Sequence, residues 1–193
     1  MLKDLFISEV RINILKLLLL NPEESLHVRA IVRAVKAEIN AVRRELENLH
    51  NMNLLRRRQS SNKIFYSVNT SHVFYSDLLS LLAKEEGLGA EILSNIRELG
   101  NMKYAMIAKP FLQGRESSPL EVDLFIVGDV KMEVLEPLIK QYQLKTKKEL
   151  NYSVMTEEEF TFRKRKNDNF IFGVLSQGRT MLIGDENKFY SVY

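Results

Sequence analysis

Asn40 and Arg44 stand one helical turn apart in a segment, 37–52, whose apolar residues recur at helical spacing. Placed at 100° steps, Ala37, Asn40, Ala41, Arg44 and Asn48 fall on the face away from the apolar stripe Ile39, Val42, Leu46 and Leu49, with Arg43 beside them. Asn can pair in two-pronged fashion with adenine and Arg with guanine, and small neighbours let a backbone come close. The chemistry on offer is the reading of base edges. The alternative for the same residues is a solvated helix face that happens to carry Arg.

The elements around this helix make the first reading the stronger. Residues 54–60 and 63–69 have the composition of two strands joined at Ser61-Asn62, which predicts an Arg-rich hairpin. Arg56, Arg57 and Arg58 are consecutive, so the pleat sends them to both faces and they cannot all touch one duplex. Arg58 and Lys63 lie nearest the turn and are the expected phosphate contacts, which add affinity and salt dependence without reading sequence. Leu55, Ile64 and Tyr66 are expected to pack the hairpin on the helices. Upstream, Ser8 is expected to cap a helix with the stripe Val10, Ile14, Leu17 and Leu18, ended by Asn21-Pro22. Ser25 is expected to cap a second, with Val28, Ile31, Val32 and Val35 inward.

Charge divides along the chain. Residues 1–70 hold 12 Lys+Arg against 7 Asp+Glu, a net +5, while residues 71–193 hold 16 against 18, a net −2. A basic first part suggests a polyanionic partner there and another task for the remainder. The absence of Cys excludes disulfides, thiolate metal sites and Cys nucleophiles, and His27, His50 and His72 lack ligand spacing. The start of the chain has no signal-peptide pattern and the longest apolar run, Leu17–Leu20, is too short to span a bilayer, so a soluble, cytoplasmic protein without a membrane partner is expected.

Residues 71–100 predict two helices, the first with Phe74, Leu78, Leu81 and Leu82 and broken by Gly87 and Gly89, the second with Ile92, Leu93, Ile96 and Leu99. These helices either pair with a second copy or pack on the C-terminal part. From Tyr104 the pattern alternates: strands at 104–108, 122–127 and 150–155, a helix at 130–142, and a helix capped by Thr156 that opens with Glu157, Glu158 and Glu159. The basic run Arg163–Lys166 reads as a solvated helix face, and Gly184-Asp185-Glu186 as a turn before a last strand.

The stretches SEVRINILKLLL (8–19), LHVRAIVRAV (26–35), INAVRRELENLHNMNLL (39–55) and the hairpin to Asn69 resemble, in order, the helices and wing of ArsR-type winged helix-turn-helix repressors. Some members of that family sense metals through Cys or His clusters, which these residues do not supply. The stretches 104–130 and 150–189 resemble a minimal nucleotidyltransferase-like domain. That resemblance implies a Gly-Ser turn for triphosphate, an Asp-x-Asp pair on the second strand and a third carboxylate on a later one. On a strand the i, i+2 spacing puts both carboxylates on one face, where they can hold Mg²⁺ with substrate phosphates. Here Lys109-Pro110 occupies the Gly-Ser position, and Pro has no N–H to offer a phosphate. Gly114 is retained, Glu121-Val122-Asp123 stands for the acid pair, and Asn151 and Ser153 are neutral where the third acid is implied. The pair is better explained as acids at a strand start, satisfied by Lys109, Arg115 or solvent.

These readings predict an α+β protein in three parts. Residues 1–70 form a winged helix-turn-helix, 71–100 a helical linker that could dimerise, and 101–193 an α/β nucleotidyltransferase-like domain with a mixed sheet and no activity. The expected function is a dimeric regulator of transcription that binds double-stranded DNA and needs no cofactor. Its C-terminal domain would serve as a sensor of a small-molecule or protein effector, a docking surface or a dimer support. The competing expectations are a nucleotidyltransferase targeted by the winged helix, and a winged helix that binds protein, which the Arg-rich face opposes.

Overall fold

The computed structural model describes residues 7–115, 118 and 121–191. The remaining positions, which include the first six residues, the last two and four residues of the 104–130 stretch, lie outside the described residues. Among the described residues the chain combines helices with two sheets, a mixed α and β architecture. It divides into two compact units, Met1–Leu82 and Ala83–Tyr193.

In the first unit, helix α1 (Glu9–Leu19) starts at Ser8, whose Oγ accepts from the Arg11 N–H at 3.2 Å, the expected cap. Its buried residues are Ile12, Ile14, Leu15, Leu18 and Leu19, not the stripe through Val10 and Leu17. The helix is apolar nearly all round, so spacing alone could not choose the inward face. The second helix, α2 (Val28–Val35), starts later than Ser25 would have it. Leu26 and His27 first form a short strand, β1, paired with Tyr66 and Phe65, and the extended backbone delays the helix. His27 then caps it, with Nδ1 accepting from the Ala30 N–H at 3.2 Å. Lys36 ends α2 in the left-handed region at φ 51° and turns the chain into α3 (Ile39–Asn51). Of the expected stripe, Val42, Leu46 and Leu49 are buried and Ile39 is half-buried. Both α2 and α3 pack on α1.

Strands β2 (Leu55–Ser60) and β3 (Lys63–Val68) form the expected hairpin, closed between Ser60 and Lys63 with Ser61 at φ 50°. The sheet order is β1-β3-β2. Leu55, Tyr66 and Val68 are buried, and residues 56–60 are exposed.

Helix α4 (Tyr75–Glu85) crosses the boundary between the units. It buries Tyr75, Leu79, Leu82 and Ala83 and leaves Phe74 exposed, which moves the inward stripe by one residue from the expected one. Ahead of the helix, the Tyr75 N–H donates to the His72 carbonyl in a turn.

In the second unit, α5 (Gly87–Ser94) and α6 (Ile96–Leu99) precede β4 (Gly100–Ala108). Gly87, at φ 62°, does separate α4 from α5; Gly89 is helical and buried, and a Cβ there would run into the Ala83 carbonyl. Its role is close packing rather than helix breaking. The chain continues through α7 (Lys109–Leu112), β5 (Leu124–Val130), α8 (Met132–Thr146), β6 (Tyr152–Met155), α9 (Glu157–Arg165), α10 (Asn169–Ser176), β7 (Arg179–Ile183) and α11 (Glu186–Tyr190). The sheet order is β6-β5-β4-β7, with β5 and β6 parallel and the other pairs antiparallel, a mixed sheet.

The two central strands are buried on both faces, which is why they read as nearly continuous apolar runs. Ala105, Ile107, Leu124 and Ile126 face a core with α5, α8 and Phe111. Tyr104, Met106, Phe125 and Val127 face the other, with Phe160, Ile171, Val174 and Phe189. The expected last strand after Gly184 is instead a helix. Asp185 caps α11 by accepting from the Lys188 N–H at 2.9 Å, and the strand, β7, lies before Gly184. The run Arg163–Lys166 is not wholly solvated either. Lys164 is buried, with its ammonium donating to the Phe189 carbonyl and lying 5.0 Å from the Phe160 ring centroid.

Candidate functional site

The outward face of α3 is set by three fixings. At its start, the Glu38 carboxylate accepts from the Asn40 N–H at 2.7 Å. On its inward side, Glu45 is buried and accepts from Arg11 Nε of α1 at 2.8 Å. Burial works against the Glu45 charge, but hydrogen bonds from Ser8, Arg11 and Asn48 and the charge of Arg11 outweigh it, and the carboxyl is held below its ordinary range. At its far end, Leu49 is buried and its carbonyl accepts from the Leu54 N–H at 3.0 Å.

On this frame Asn40, Arg43, Arg44 and Asn48 are exposed and Ala41 is half-buried, while Ala37 lies ahead of the helix. The four exposed residues do not form one set. Asn40 and Arg44 point outward. Asn48, also exposed, is one of the groups that hold the Glu45 carboxyl low. Arg43 turns toward the hairpin and lines a cleft of about 550 Å³ with Arg29, Glu47, Arg57, Lys63 and Tyr66. A second hollow of about 380 Å³ shares His27, Arg29 and Lys63 and adds Arg33. The two together make a groove between α2, α3 and the hairpin with five cationic residues and one carboxylate in its lining.

Lys63, expected at the tip, is part of that groove. Arg58 instead lies 5.7 Å from the centroid of Phe65, its cross-strand neighbour. Arg56 donates to the Asn69 carboxamide at 2.8 Å, and Arg57 stands 3.8 Å from Glu47. The pleat thus divides the three arginines, and Arg57 is the one facing α3. Sequence reasoning missed Arg29, Arg33, Arg57 and Glu47. Arg29 and Arg33 at i, i+4 on α2 were a readable signal; the pairing of Glu47 with Arg57 depends on the hairpin's twist and was not. Burial raises the Tyr66 hydroxyl above its ordinary range, Arg57 acting to lower it and Glu47 to raise it, so both charges bear on the cleft floor.

The three histidines serve local structure. His27 caps α2, His50 Nδ1 lies 3.1 Å from the Leu55 carbonyl, and His72 Nε2 lies 3.0 Å from the Met52 carbonyl. Among the described residues, no group of three His, Asp or Glu side chains is placed to hold a metal ion.

Comparison with protein-family models, with curated proteins and with solved structures returned no match.

The second set lies in the second unit. Strand β5 begins at Leu124, two residues later than expected, so Glu121 and Asp123 both precede it. Regular alternation does not apply there. Glu121 is exposed and accepts from the Ser118 N–H at 2.9 Å, whereas Asp123 is buried and its Oδ2 accepts from the Asn151 N–H at 2.8 Å. Asn151 also holds the segment by donating from Nδ2 to the Ser118 carbonyl at 3.0 Å. Lys109 and Pro110 open the short helix α7, and the Lys109 N–H donates to the Gly178 carbonyl at 2.8 Å. Gly114 follows at φ 78°, exposed. Asp123 therefore ties the entry of β5 to that of β6, and Glu121 closes a surface turn. Among the described residues, no helix is long and apolar enough to cross a membrane.

Proposed function

We propose that this protein is a DNA-binding regulator of transcription of the winged helix-turn-helix type, acting as a dimer, with a C-terminal nucleotidyltransferase-like domain that senses or docks rather than catalyses. The observation that carries this reading is the groove of Arg29, Arg33, Arg43, Arg57 and Lys63 beside the exposed Asn40 and Arg44. An outward Asn and Arg suit base edges in a major groove, and flanking cations suit the backbone on either side. A non-catalytic C-terminal domain is supported by the engagement of the Asp123 carboxylate with the Asn151 N–H and by Pro110 where a phosphate turn would need an N–H donor.

The test is selection of binding sites from fragmented genomic DNA at near-physiological salt, with Arg44→Ala in parallel. The expected result is an enriched motif with two-fold symmetry, from which Arg44→Ala loses about 1–3 kcal/mol and its preference at one position. Binding that is salt-sensitive but indifferent to sequence would refute the regulator and leave a general polyanion anchor.

A further inference from the structure

We infer that Glu47 is a specificity-determining residue of the α3 face, accepting from the exocyclic amine of a cytosine and opposing every contact that offers only phosphate; this rests on the DNA reading above. Three observations lead to it. Among the described residues, Glu47 is the only carboxylate in the lining of the groove, beside five cations. It follows Arg43 by four residues and Arg44 by three, which places it between the cleft-lining Arg43 and the outward Arg44, about 4.5 Å further along the axis than Arg44. A base reader at Arg44 thus has Glu47 over a neighbouring base step. Its ion pair with Arg57 spans 3.8 Å between side chains 50 % and 39 % exposed. Such a pair contributes little to stability, so folding does not explain an acid at this place.

The chemistry has two sides. A carboxylate is acceptor-only, and in the major groove the cytosine N4 amine is the donor that a Glu matches. Against phosphate the same charge is repulsive, and it also occupies Arg57, which would otherwise be a backbone contact. Non-cognate DNA meets both penalties; a site with cytosine at the right step relieves the first. Glu47 therefore widens the gap between specific and non-specific binding by weakening the latter.

The experiment measures wild type, Glu47→Gln, and Glu47→Gln with Arg57→Ala against the selected site, against that site with the cytosine replaced, and against a random duplex, each across a salt series. Glu47→Gln keeps the shape and the exposed position, and its thermal midpoint serves as the fold control. Expected for Glu47→Gln are a loss of roughly 5- to 100-fold in preference at one base pair, tighter binding to the random duplex, and a salt slope steeper by about 0.9 as Arg57 meets a phosphate. Adding Arg57→Ala should return the slope. A variant with the wild-type motif and the wild-type ratio of specific to random binding overturns the inference while leaving the regulator intact. So does one that gains equally on all three duplexes. A wild type without any sequence preference overturns both.

Discussion

Arg11→Met is the perturbation that best tests how α3 is held. It keeps most of the apolar stem and removes the guanidinium that donates to Glu45 at 2.8 Å. The carboxylate left behind is 6 % exposed and still bonded by Ser8 and Asn48. Breaking a fully buried ion pair costs about 3–5 kcal/mol, and a hydrogen bond to a charged group contributes about 1.5–3 kcal/mol. Arg11 is 38 % exposed, so water screens the pair, and the two surviving bonds soften the loss. The lower range applies: a loss of roughly 1.5–3 kcal/mol at pH 7 by urea unfolding. The pH dependence checks the cause. Glu45 has its pKa depressed in the folded state, so its contribution is present above the unfolded value and is lost as pH falls through the folded one. The gap between wild type and Arg11→Met should close in acid. A gap under about 0.5 kcal/mol, or one unchanged between pH 7 and pH 3, would refute the argument that this pair positions the helix.

Two further outcomes are expected. Burial lowers the pKa of Lys164, so the folded state disfavours its charge, and wild type should gain stability as pH rises through the folded value toward the ordinary one near 10.4. Lys164→Met should lack that rise, which paired denaturation curves from pH 8 to pH 10.5 would reveal; parallel curves would exclude Lys164 as its source. Asp123→Ala leaves the Asn151 N–H without its carboxylate acceptor and should cost about 1–3 kcal/mol in denaturant while leaving DNA affinity unchanged; unchanged stability would contradict the linking role given to this acid.

The elements with strong local signals were legible. Ser8 and Thr156 cap where their side chains demand, and the hairpin turns at Ser61-Asn62. What escaped depends on partners distant in sequence. Ser25 lost its cap because Leu26 and His27 pair with a strand 38 to 40 residues on, an interaction no local rule contains. Gly89 looks like a breaker until Ala83 is seen against it. Lys164 sits in a run of cations that reads as solvated, and only its place over Phe160, beneath Phe189, buries it. At the candidate interface, helical periodicity placed Asn40 and Arg44 outward. It could not show that Asn48 serves Glu45, or that Arg57 rather than Arg58 faces α3.

The doubly buried strands β4 and β5 have a consequence for fidelity of assembly. Sliding a strand by one residue ordinarily exposes oily side chains and is rejected by water. With apolar side chains on both faces of Tyr104–Ala108 and Leu124–Val127, water is a poor judge. The strand side chains of the two sides differ instead in bulk: Tyr104, Met106, Phe125 and Val127 face one side, against the Phe160 and Phe189 rings, and Ala105, Ile107, Leu124 and Ile126 fill the other. A slipped strand would push a ring into space cut for a methyl group and leave a hollow opposite, each a mismatch of volume that dense packing punishes. Steric sorting, ring against branched chain, thus replaces the usual polar code as the proofreader of this sheet.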